Sequence, residues 1–109
     1  MESKKIYISM ARGDKSPEEI LRLQKNLTAA ISDSMQENFE LIEPYLSDCD
    51  DLTSLAENIK RMKDADYAVF FDDWQKARYC NIERYCAEEY DISCIDVELS
   101  GEGGESDGE

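Results

Sequence analysis

The sequence predicts an α/β fold: a Rossmann-like parallel sheet of four to five strands with helices on both faces. Three observations predict it. Short apolar runs alternate with amphipathic stretches of crossover length in the order β-α-β-α-β-α-β, the pattern of right-handed parallel connections. The stretch Asp66-Tyr67-Ala68-Val69-Phe70-Phe71-Asp72-Asp73-Trp74 is a continuous apolar run between acidic ends, as in a strand buried on both faces. Ser16-Pro17-Glu18-Glu19 meets several helix-start rules at once, with a serine cap, proline at the first position and glutamate three after the cap.

Lys4 to Met10 reads as the first strand, with Ile6, Tyr7 and Ile8 at its apolar centre. The loop Ala11-Arg12-Gly13-Asp14-Lys15 follows; its glycine permits a tight turn and its arginine can reach an anion. The first helix is expected to run to about Gln36, burying Ile20, Leu23, Leu27, Ala30, Ile31 and Met35. A strand, a glycine-containing loop and a helix start can hold an anion, but Glu18 and Glu19 would repel one placed on the helix itself, which leaves Arg12 and the loop amides as its holders. Phe39 to Tyr45 reads as a second strand ended by Pro44. The acidic turn Ser47 to Asp51 caps a second helix through Lys63, with Leu52, Leu55, Ala56, Ile59 and Met62 as its stripe and Asn58 off or beside it. Ile92 to Val97 makes the last strand.

Between the central strand and the last one lies a helix in which Tyr79, Ile82, Cys86 and Tyr90 recur at three- and four-residue spacing. Glu83 falls inside that stripe. A carboxylate there has two readings: it pairs with Arg84, Arg78 or a backbone donor and orients the helix, or it belongs to a site at the C-terminal edge of the sheet, where ligands of open α/β sheets bind. On the second reading the strand delivers Asp72, Asp73 and Trp74 to the same edge.

At 109 residues the chain is one domain, residues 1–98, followed by an acidic tail, residues 99–109, that reads as disordered. Net charge is −14, and acids still outnumber bases by about ten without the tail. That balance argues against direct nucleic-acid binding, which needs basic patches. There is no histidine, which excludes an imidazole base and histidine-ligated metal. Cys49, Cys80, Cys86 and Cys94 show no two-residue gap, so they read as free, mostly buried thiols; no metal and no cofactor is expected. With no signal peptide and no long apolar run, the expected location is cytoplasmic and off the membrane.

The opening Lys5-Ile6-Tyr7-Ile8-Ser9-Met10-Ala11-Arg12-Gly13, the segment Asp64-Ala65-Asp66-Tyr67-Ala68-Val69, and Asp73-Trp74 with the later Glu83 and Ala87 together resemble the nucleoside 2-deoxyribosyltransferase-like superfamily, in particular its small uncharacterised bacterial and phage members. The resemblance spans residues 4–97. It implies a nucleoside or nucleotide bound across the C-terminal edge of the sheet, with Glu83 as the nucleophile at the anomeric carbon and Asp72 or Asp73 assisting. It places Tyr7, Met10, Arg12, Gly13 and Asn58 around the ligand; Trp74 is read as stacking on the base or else as a lid on the core, and Lys76 or Arg78 as supplying an anion contact. It also implies a homo-oligomer, since relatives commonly complete each pocket from a neighbouring subunit. The chain departs from the pattern in having Asn58 where nucleotide-cleaving relatives have an aspartate, and Ala77 and Tyr79 where relatives have serine and then glycine. The alternatives are a nucleotide binder without turnover and an acidic protein-interaction module.

Overall fold

In a computed structural model, residues 3–46, 51–71 and 74–97 are described. Strands β1 (Lys4–Met10), β2 (Phe39–Leu41), β3 (Tyr67–Phe71) and β4 (Ser93–Val97) pair all in parallel, in the order β2-β1-β3-β4. Helices α1 (Pro17–Met35), α2 (Asp51–Met62) and α3 (Arg78–Glu89) make the crossovers, and a 3₁₀ turn, Trp74–Lys76, leads into α3. The α/β class and the parallel Rossmann-like sheet therefore hold, with four strands.

Side chains alternate across the two central strands. Ile6, Ile8, Met10, Val69 and Phe71 pack with Ile20, Leu27 and Ile31 of α1 on one face; Tyr7, Ala68 and Phe70 pack with Met62 of α2 and Ala87 of α3 on the other. This two-sided burial is why β3 carries an unbroken apolar run. α1 lies on one face and α2 and α3 on the other, because the chain goes from β1 outward to β2, then crosses back over β1 to β3. The loops after β1 and β3 consequently diverge, and the crevice between them is the switch point of the sheet.

Four details differ from the sequence reading. β2 stops at Leu41 instead of Tyr45: Ile42 still donates to the Ile6 carbonyl (2.8 Å), but Tyr45 is held by α2 instead, its N–H donating to Asn58 Oδ1 (2.7 Å) and its carbonyl accepting from Nδ2 (3.4 Å). Asn58, expected beside the stripe of α2, is thus buried at 2 % exposure, while Leu52 is 75 % exposed. On α1, Gln24 and Thr28 are buried, and Ala30 and Met35 are exposed. On α3 the buried row is Cys80, Glu83 and Ala87, with Ile82 at 37 % and Tyr90 at 79 % exposure. The stripe is rotated by one residue because small Cys80 and Ala87 let the helix sit close on the sheet, where bulkier Ile82 and Tyr90 would hold it off.

β3 ends at Phe71, so Asp72 and Asp73 lie outside the described residues, as do Cys49 and the acidic tail. Cys80 is buried and Cys86 and Cys94 are half-buried; all three are free. No helix among the described residues is long and apolar enough to cross a membrane.

Candidate functional site

Residues two apart on a strand share a face, so Tyr7 and Ser9 of β1 both point toward the α2–α3 layer. α3 runs back along that face from the C-terminal edge, and its buried row places Glu83 against them. The Tyr7 hydroxyl donates to Glu83 Oε2 (3.1 Å) and the Ser9 hydroxyl to Oε1 (2.6 Å). The carboxylate is 1 % exposed, and burial raises its pKa above 4.5, against the lowering effect of the two hydroxyls and of Arg12. The same burial, with Glu83 beside it, pushes the Tyr7 phenol well up. Burial pushes the Cys80 thiol, which sits against Ser9, up to about 12.

Neither arginine offered by the sequence pairs with Glu83. Arg84 bonds Glu88 Oε2 (2.8 Å) and Asp96 Oδ1 (2.7 Å), with its guanidinium over the rings of Phe70 (5.0 Å) and Trp74 (5.2 Å). Arg78 lines a cleft at the starts of α2 and α3. That cleft, of about 510 Å³, is walled by Leu52, Leu55, Tyr79 and Ile82 and rimmed by Lys76 and Arg78. Its size suits a small organic ligand.

Tyr79 connects the cleft to the buried pair. Its hydroxyl accepts from the Arg12 N–H (3.0 Å), and the Arg12 guanidinium lies 5.5 Å from its ring centroid. The helix start nearby is closed to an anion: the Ser16 side chain accepts from the Glu19 N–H, while the Glu19 carboxylate accepts from the Ser16 N–H. The Arg12 amide, expected to hold an anion, is therefore occupied by Tyr79.

Of the residues singled out from sequence, Tyr7, Arg12 and Glu83 converge, with Gly13 (φ +57°) turning the loop beside them and Arg78 on the cleft rim. Three do not join them. Met10 packs into the core on the α1 face, because it is one residue out of step with Ser9. Asn58 is spent on the Tyr45 backbone. Trp74 closes the end of the α3-side core, tilted against Phe70 at 5.1 Å under Arg84, instead of offering a bare ring to a base. Ser9 was not singled out, although the two-residue step from Tyr7 was its signal; Tyr79 was singled out only as a departure from the family pattern, and nothing local announces that it meets Arg12. Among the described residues, no group of three or more acidic or cysteine side chains is placed to hold a metal ion.

No protein-family model matches this chain, and neither a curated protein nor a solved structure matches it.

Proposed function

We propose that the chain binds a nucleoside or nucleotide at the switch-point edge of the sheet and that Glu83 acts on the N-glycosidic bond of that ligand, as the resemblance to the nucleoside 2-deoxyribosyltransferase-like superfamily implies. The observation that carries this reading is the buried Glu83 carboxylate, oriented by the Tyr7 and Ser9 hydroxyls at the crevice where open α/β sheets bind ligands.

Breaking an N-glycosidic bond passes through an oxocarbenium-like sugar, which an adjacent carboxylate stabilises. An ionised Glu83 oxygen attacks the anomeric carbon as the carbon–nitrogen bond breaks, and the electron pair leaves with the base. The base nitrogen then takes a proton from solvent water. Water cleaves the resulting glycosyl ester in a hydrolase; a second base displaces it in a transferase. Two hydroxyl donors fix the direction of the carboxylate and are released in part as its charge is consumed. The apolar cleft walls suit a planar base, and Lys76 and Arg78 suit a charged group on the sugar. The free thiols suit a reducing compartment such as the cytoplasm.

A second reading, binding without turnover, is favoured by Asn58, whose amide is committed to the Tyr45 backbone and supplies no assisting carboxylate. The test is incubation with deoxynucleosides and their monophosphates, following free base by chromatography, with Glu83→Ala as the control. Base release that vanishes in the variant is the expected result. Thermal stabilisation by a ligand without base release would favour the binder instead, and silence in both measurements would turn attention to a protein partner.

A further inference from the structure

Glu83 is sealed from solvent, so a ligand resting in the adjacent cleft does not touch it. Register shows what lies beyond it toward the edge of the sheet. β1 runs toward the C-terminal edge of the sheet, whereas α3 starts at that edge and runs back. Moving from Ser9 on β1 to Arg12 in the loop that follows it, and from Glu83 to Tyr79 on α3, therefore leads the same way, by about one helical turn or ~5.4 Å on the helix side. The Arg12–Tyr79 pair forms a second layer directly over the Ser9–Glu83 pair. The Arg12 guanidinium lies against the Tyr79 ring, and the residue also lines the cleft with Leu52, Leu55 and Ile82.

We propose that Tyr79 is a gate between the cleft and Glu83, latched by Arg12, and that it decides which ligands reach the carboxylate. Its latch consists of one neutral hydrogen bond to a backbone amide and one guanidinium–ring contact. Both are of the weak kind, so the closed state outweighs the open one by a factor on the order of tens, enough to shield Glu83 and small enough for a ligand to overcome. Tyr79 is only half-buried and stands in the first turn of a helix that has no side-chain cap, so it swings without disturbing the core beneath. The gate rests on the reading that Glu83 meets a ligand, but its existence is measurable without one.

Cys80 reports on it. This thiol is fully buried in the same layer as Ser9 and Glu83. Trypsin cleavage after Arg78 and Arg84 isolates it in a peptide with no other cysteine, while Cys86 and Cys94 fall together in the next. The full-length chain is exposed to methyl methanethiosulfonate for increasing times, quenched, digested and read by mass spectrometry. Tyr79→Phe, which removes the hydroxyl and keeps the ring, is expected to label Cys80 about fivefold faster than wild type, and Tyr79→Ala by a factor on the order of tens, with Cys86 and Cys94 unchanged. An unchanged Cys80 rate in both variants overturns the gate, whatever the activity. If Tyr79→Ala speeds all the cysteines together it has loosened the fold, and Tyr79→Phe alone decides. Faster Cys80 labelling with no base release from any variant keeps the gate and rejects the glycosidic reading; faster labelling with raised, Glu83-dependent release supports both.

Discussion

A carboxylate on a helix facing a sheet ordinarily costs stability, and Glu83 is tolerated because both its oxygens receive hydroxyl hydrogen bonds from β1. Its folded-state pKa is raised above 4.5, so the folded chain holds this proton more tightly than the unfolded one. The stabilising contribution is complete below pH 4.5 and is lost as pH rises through the raised folded value. Glu83→Gln has no proton to lose, and its amide still accepts from Tyr7 and can donate to the Ser9 oxygen. The variant is expected to melt higher than wild type near neutral pH, with the gap closing toward pH 4.5, as thermal denaturation across pH would show. A gap that widens in acid would mean that the carboxylate is ion-paired. Ser9→Ala leaves Oε1 without its hydroxyl partner and is expected to cost about 1–3 kcal/mol, measured by urea denaturation. Glu83 itself was legible as an acid inside an apolar stripe. Its partners were not, because they lie more than seventy residues away and a pairing at that distance leaves no local trace.

At the scale of elements, the two best-defined helices contrast. α1 begins with a complete capping box, and every residue that makes it could be read in advance, since capping involves only four consecutive positions. α3 is capped by Ala77, whose extended backbone (φ −106°, ψ 126°) suits a cap but whose methyl makes no bond, and a basic residue, Arg78, occupies its first turn. Ala77→Ser is expected to raise stability by about 1 kcal/mol in urea denaturation; an unchanged midpoint would mean that the first turn of α3 is already satisfied by other donors and acceptors. The packed face of α3 was legible to within one residue. Hydrophobicity alone favours Ile82 and Tyr90, but contact with the sheet selects the small residues beside them. The early end of β2 has the same origin: a side chain on α2 competes for the Tyr45 backbone, and no local pattern in the strand records it.

Over the whole molecule the dominant feature is charge. With a net −14, self-repulsion opposes the compact state, and exposed ion pairs such as Lys4–Glu37 (2.9 Å) and Lys60–Glu57 (3.6 Å) are individually weak. Raising the salt from ~0.01 M to ~0.15 M shortens the screening length from about 30 to about 8 Å, so the melting temperature is expected to rise. A fall would show that the exposed pairs outweigh the net repulsion. The same charge disfavours binding to a polyanion, although Lys76 and Arg78 place two cations side by side at the cleft rim.

Composition, period and capping were enough to determine the α/β class, the order of elements, the buried central strand and the singular position of Glu83, because each is recorded within a few consecutive residues. Only the tertiary structure decided that Glu83 answers to Tyr7 and Ser9, that Asn58 is spent on the Tyr45 backbone and Trp74 on packing, and that Tyr79 meets Arg12. These contacts join β1 and the loop after it to α3, and the segment after β2 to α2, and the physical reason they were hidden is that a parallel sheet brings together side chains whose separation along the chain carries no periodic signal.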